Sequence, residues 1–271
     1  GVRARRPLGH DVGVPLRRPS ALLLTAVAAS ALLVGCGGSD APQGPTKPAE
    51  PQAVNLYDER PGYAYPGSRA AQAAAKAKAE GRADQQAVFD RLAQTPTAVW
   101  LTPEEYPAGE VGPFVSKVVS GADAAGEVPT FVIYGIPDRD CTGGFSEGGL
   151  PADQYGPWVQ EIADAAGAGG GAVAVVEPDA IASALECDRT EQRLRLISDA
   201  VDQMVAAGVT TYVDGGHSNW VDPADLAPLL EQVGIADVRG FATNVSNYQT
   251  DEDELAYGEE RDVTYSVEAE Q

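Results

Sequence analysis

The sequence predicts an α/β fold with parallel strands, and three observations carry that reading. Short apolar runs alternate with amphipathic, helix-length stretches from Pro96 to Asn244, and strict alternation of strand and helix forces parallel strands joined by right-handed crossovers. Val173 to Ile181, VAVVEPDAI, opens on an apolar run without alternation, the pattern of a strand buried on both faces. Each strand also ends on polar or aromatic residues, so one edge of the sheet or barrel collects them, as α/β enzymes do.

Taken in order, Arg3, Arg5, Arg6, Arg17 and Arg18 precede Ala21 to Val34, ALLLTAVAASALLV. That run is too short to span a bilayer comfortably and has the layout of a secretory signal. Its end, Leu33-Val34-Gly35-Cys36, resembles the lipobox of bacterial lipoproteins, which implies export and lipidation of Cys36. Residues 1–36 are thus read as a signal peptide. Residues 37–54, rich in Gly, Pro, Ser, Lys and Glu, read as a flexible linker.

Ser68 caps an expected helix through RAAQAAAKAKAE, and ADQQAVFDRLAQ forms a second. PTAVWL is a short strand bearing Trp100, and PFVSKVVSGADAAG a helix leading to strand Thr130 to Ile136. A helix from about Gln154 to Ala166 puts Trp158, Ile162 and Ala165 on one face. Gly167 to Gly171 precedes a strand and opens no helix, so it is not a phosphate loop. The helix Glu191 to Ala207 spaces Leu194, Ile197, Val201, Met204 and Val205 for burial. Strand Thr210 to Val213, helix Asp225 to Val233 and strand Val238 to Phe241 complete the series.

The chain carries 40 acidic against 19 basic side chains, a net charge of −21. Such a surface repels nucleic acid and anionic lipid headgroups, leaving only a lipid anchor at Cys36 as a route to a membrane. Cys141 and Cys187 remain, an even pair in an oxidising compartment and available for a disulfide. Metal-ligand spacing is absent and no cofactor motif stands in a fitting context, so neither a metal nor a cofactor is expected.

Parallel strands bring Asp138, Asp140, Glu177, Asp179, Asp214, His217 and Asn244 to one edge. Carboxylates converging beside aromatic rings make a sugar site, because rings stack on pyranose faces and paired acids perform glycosidic acid/base chemistry. The plainer alternative for any one acid is a helix cap or an ion pair.

VIYGIPDRDC, VAVVEPDAIA, YVDGGHSNW and RGFATNVSNY, in that order, resemble the successive strand-end motifs of glycoside hydrolase family 6, the inverting cellulases. The resemblance covers roughly Trp100 to Tyr248 and implies a distorted, incomplete TIM-like barrel acting on β-1,4-glucan chains. By it, residues 55–271 form a partial catalytic domain. Asp179 matches the general acid. Asp140 matches the second aspartate, which helps keep that acid protonated and assists the water. Tyr134 matches the tyrosine beside the sugar at the cleavage point, Ser146 the serine that helps hold the water, and Trp100 a sugar-stacking tryptophan. Asp214, His217, Trp220 and Asn244 match residues lining glucose subsites, and Cys141 with Cys187 the family's first disulfide.

Thr142 and Phe145 depart from the small residues usual in that loop. The family's later glycine-rich acidic motif, with the proposed base, has no counterpart from Asp251 to Gln271, so the chain reads as C-terminally truncated. An endoglucanase is expected, since the connections after the strands are short. The competing readings are a non-catalytic glucan-binding lipoprotein and a transporter's solute-binding lipoprotein. Intact Asp140 and Asp179 favour the enzyme over the first, and the lack of hinge crossovers disfavours the second.

Overall fold

The computed structural model describes residues 50–141, 144 and 146–259. The expected signal, the lipidation site at Cys36, most of the linker, and the departures at Thr142 and Phe145 lie outside them. So does the terminal stretch after residue 259. Among the described residues no helix is long and apolar enough to cross a membrane.

Five strands form one sheet: β1 (Val99–Leu101), β2 (Thr130–Ile133), β3 (Val173–Val176), β4 (Thr210–Asp214) and β5 (Gly240–Ala242). They lie in chain order and every pair is parallel. Consecutive order with helices between is the progression of an arc of a (β/α) barrel. The register sets Val132 beside Val175 and Val175 beside Tyr212, so the outgoing ends fall level. β3 is buried at all four positions, as its unalternating sequence requires. β5, at one end of the described sheet, is half-buried throughout.

The expected helices form, with no end displaced by more than two residues. They are α3 (Arg69–Ala79), α4 (Ala83–Ala93), α5 (Val111–Ala125), α6 (Ala152–Gly167), α7 (Thr190–Ala206) and α8 (Pro223–Gln232). Ser68 accepts the Ala71 N–H at 3.2 Å and caps α3. Gly126, at φ 71°, ends α5 in the left-handed turn that a residue without Cβ adopts freely. In α7, Leu194, Ile197, Val201 and Met204 are buried as expected, whereas Val205 is only half-buried at the edge of the core. The strand expected to reach Ile136 stops at Ile133, and the one expected from Val238 begins at Gly240. The first stops early because the chain turns into a loop of the site; the second starts late because a short 3₁₀ turn, Ile235–Asp237, with Val238 closing it, leads into the strand.

Two short helices precede these, α1 (Glu50–Ala53) and α2 (Leu56–Glu59). Gln52 is buried at the incoming end of β4, where Nε2 donates to Val209 O at 2.7 Å and Oε1 accepts the Thr211 N–H at 3.0 Å. The side-chain amide thus stands in for a neighbouring backbone, and the folded body begins before residue 54, the boundary expected for the linker. A helix at residues 251–259, α9, was not expected at all.

The core lies between the sheet and α5, α6, α7 and α8. Trp158 is fully buried at its centre, with its indole N–H donating to Tyr106 O at 2.8 Å. A Cβ on Gly135 would meet this ring at 2.6 Å. That close approach seats the outgoing loop of β2 directly on the core.

Candidate active site

The site is assembled where the strands end, and its backbone is unusual there. Asp138, Asp140, Glu177, Asp179 and Asn244 all have left-handed φ, between 51° and 67°. For residues other than glycine each such conformation costs on the order of 1–3 kcal/mol, and it persists only where the surroundings hold it. Asp and Asn tolerate it best, which is why these residue types recur at the turns. Glu177 is the exception, and its side chain shows what holds it. It is fully buried, and Oε1 accepts the Gly135 N–H at 2.9 Å. Burial pushes its carboxyl up to about 7 against the lowering effect of the Gly135 and Ile136 N–H groups and of Tyr155. Tyr155 acts on Glu177 electrostatically; by strict geometry its hydroxyl and Glu177 Oε2 have no hydrogen-bond partner. Glu177 therefore ties the loop after β2 to the end of β3 from beneath.

Asp179, two residues on, is half-buried at the mouth. Its backbone N–H donates to Asp214 Oδ1 at 2.8 Å, and the Gly216 N–H donates to the same oxygen at 2.9 Å. Asp214 is only 1% exposed. Burial, with the Asp179 charge adding to it, pushes its carboxyl up to about 8 despite those two N–H groups. Asp214 thus fixes the backbone of Asp179. Burial also raises Asp179 above the ordinary carboxylate range; Asp140 raises it further, while Ser246 and His217 oppose the rise. Desolvation outweighs the neighbouring carboxylate here, whereas the family resemblance pointed to the second aspartate.

Asp140 is oriented from its own loop, where Oδ2 accepts the Ser146 N–H at 2.8 Å. The Ser146 side chain also opposes the rise that burial gives the Tyr134 hydroxyl. The Tyr134 ring meets Trp100 edge to face, with centroids 5.4 Å apart. Burial raises Tyr134 above its ordinary value. On the far side, His217 and Trp220 are tilted against each other at 5.5 Å, and the Trp220 indole donates to Glu186 at 2.9 Å. Trp100 remains 37% exposed, open to a stacking partner. Asn244 is engaged otherwise: its amide donates to Gln249 O at 3.1 Å and accepts the Gln249 N–H at 2.9 Å, closing its own loop. Cys141 and Cys187 are bonded, linking the loop after β2 to the turn after β3.

Arg139, inside DRDC, was not singled out by sequence. It is buried, its Nε donates to Ser146 O at 3.0 Å and NH1 to Tyr134 O at 2.7 Å, and NH2 pairs with Glu104 at 2.9 Å. Its guanidinium also lies 4.6 Å from the Tyr134 ring centroid. A lone arginine between two aspartates was the available signal. Glu104, Ser246 and Glu254 carried none, because their partners are distant in sequence. A cavity of about 420 Å³, lined by Ser218, Pro223, Gln249 and Tyr257 among others, does not include the carboxylates of the mouth. Among the described residues no cluster of three metal-ligating side chains exists.

Carboxyl groups raised by burial, beside paired aromatic rings at the outgoing edge of a parallel sheet, define an acid/base site of the kind that acts on sugars. The family model for glycosyl hydrolases family 6 matches residues 57–267, and the chain belongs to that family. It is 40% identical over 177 residues to endoglucanase 1 of Streptomyces sp. (strain KSM-9), covering 63% of this chain and 48% of that protein. Endoglucanase A of Cellulomonas fimi is 34% identical over 177 residues, 64% of this chain and 38% of that one. The endoglucanase Cel6 of Mycobacterium tuberculosis, solved with methyl-cellobiosyl-4-deoxy-4-thio-β-D-cellobioside, superposes with a TM-score of 0.69 at 36% identity, over 79% of this chain and 70% of that one. The chain spans between 38% and 61% of the first four curated relatives' lengths.

Proposed function

We propose that the protein is an exported endo-β-1,4-glucanase that hydrolyses cellulose-type glucan with inversion of configuration. The observation that supports this most is Asp179, half-buried, raised toward its protonated form and held by its own backbone against Asp214. In this reading Asp179 donates its proton to the glycosidic oxygen as that bond breaks. A water attacks the anomeric carbon from the opposite face. Asp140, with Ser146 beside it, orients the water, and Tyr134 lies against the ring at the cleavage point. Trp100 and Trp220 stack on flanking glucose units, with His217 next to Trp220. Inversion requires an acid and a base roughly 6.5–9.5 Å apart with the water between them. No residue of this chain is assigned as the base.

Internal cleavage is favoured by the short turn from Asp179 to Cys187, stapled at Cys187 by the disulfide, and by the endoglucanase names of the relatives above. Export and a lipid anchor at Cys36 rest on the basic and apolar leader and its lipobox. The decisive test is hydrolysis of cellotetraose followed by proton NMR. Inversion releases α-anomers first, whereas β-anomers would refute it. A fall in carboxymethylcellulose viscosity at low release of reducing ends supports internal cleavage, and cellobiose release without that fall refutes it.

A further inference from the structure

The loop of residues 215–221 carries His217 and Trp220 and is held from outside by α9. Glu254 Oε1 accepts the Ser218 N–H at 2.8 Å. The Tyr257 hydroxyl donates to Val221 O at 3.0 Å and lies 3.5 Å from Gly215 O. The two side chains stand three apart on one helix face, and both are buried, Glu254 at 9% and Tyr257 at 5% exposure. One contact therefore falls at each end of the loop and one in its middle, between His217 and Trp220. The helix is itself capped, since Thr250 Oγ1 accepts the Asp253 N–H at 3.2 Å and donates to Asp253 Oδ2 at 2.7 Å.

Buried carboxylates seldom go unmatched, yet Glu254 Oε2 has no hydrogen-bond partner, and neither has His217 Nδ1. The two side chains lie within each other's field, and the Ser218 and Thr243 hydroxyls further favour the charged carboxylate. A single acid on α9 thus holds the loop after β4 at Ser218 and lies in the field of the histidine whose field also reaches Asp179.

We propose that Glu254 and Tyr257 are positioning residues for the glucan cleft: α9 braces the 215–221 loop so that His217 and Trp220 present a fixed wall to the sugar. The brace rests on the reading above for its ligand, not for its geometry. Without it the loop would retain its attachment to β4 and α8 but lose the contacts that fix its middle.

The test uses the full chain with Glu254→Ala, Glu254→Gln and Tyr257→Phe. Amide exchange at Ser218 should accelerate at least tenfold in Glu254→Ala and stay near wild type in Glu254→Gln, whose amide oxygen can still accept that N–H. Cellotetraose affinity, by calorimetry, should fall at least tenfold in Glu254→Ala and recover to within threefold in Glu254→Gln. Tyr257→Phe removes the donor to Val221 O and should weaken cellotetraose binding while Ser218 exchange, held by Glu254, stays near wild type. Unchanged Ser218 exchange in Glu254→Ala overturns the brace. Fast exchange with unchanged affinity overturns the positioning role and leaves only a structural one. If the wild type binds no cellotetraose, the glucanase reading fails, and the exchange measurements still decide the brace.

Discussion

Replacing Asp214 separates two roles that one buried carboxyl holds together. Its Oδ1 receives the N–H groups of Asp179 and Gly216, and leaving a buried donor unpaired costs about 1–3 kcal/mol. Asp214→Ala should therefore destabilise by about 2–6 kcal/mol on that principle, a large part of a typical domain's margin. Asp214→Asn keeps an oxygen for both donors and should lose under about 1 kcal/mol at pH 5. The variants differ again with pH. A carboxyl whose folded value is raised from the ordinary 3.8 to about 8 binds protons more tightly folded than unfolded, so its contribution to stability is full below about pH 4. It is then lost progressively as pH rises to about 8. At about 1.4 kcal/mol per pH unit the loss is on the order of 5 kcal/mol. Asp214→Asn lacks this loss; the raised Glu177 acts in both proteins and cancels in the difference, whereas Asp179, whose charge helps raise Asp214, contributes part of the difference itself. Urea denaturation at intervals from pH 4 to 9 should show wild-type stability falling toward the variant's and then below it. Parallel curves across that window would refute the buried, protonated Asp214, and a near-neutral Asp214→Ala would refute its role as an acceptor.

Asp179→Asn should reduce glucan hydrolysis by about 10²–10⁴-fold, the usual contribution of general-acid catalysis, with cello-oligosaccharide affinity retained. Activity within threefold of wild type would remove Asp179 as the acid. Because that acid must be protonated and its carboxyl is raised, wild-type kcat should decline as pH rises through the raised value, measured on soluble glucan. Arg139→Leu removes the donor from the Tyr134 and Ser146 carbonyls, while the exposed Glu104 returns to water, and should destabilise by about 1–3 kcal/mol for each carbonyl left buried and unpaired. Arg139→Lys should rescue little, because one ammonium cannot span all three acceptors; full rescue in thermal melts would contradict this. Joint replacement of Cys141 and Cys187 by Ser, opening a loop of 46 residues, should cost about 4 kcal/mol in the chain-entropy account, read as a lowered denaturation midpoint.

The fold was legible because its signals are local. Helix caps such as Ser68, periodic faces such as Leu194-Ile197-Val201, and the unalternating VAVV each state their own structure, and alternation alone then dictates parallel strands. The acids at the strand ends were legible for the same reason, since the outgoing ends of parallel strands share an edge whatever the details. What each acid does there was not. Nothing in EPD distinguishes the sealed, fully buried Glu177 from the half-open Asp179. Nor does YVDGGHSNW show that Asp214 turns inward to hold backbone N–H groups while Trp220 lies half-buried with its indole on Glu186. Those differences arise from left-handed turns and from burial, and burial depends on what packs above each residue from other parts of the chain. The same holds for Arg139, which joins its own loop to Glu104, 35 residues earlier, and for Glu254, which reaches back to a loop more than thirty residues earlier. Sequence determined which chemical groups would meet, because strand direction is a local property. Tertiary structure alone decided which of them are dry, which are charged and which face the cleft, because solvation and electrostatic fields are set by neighbours in space.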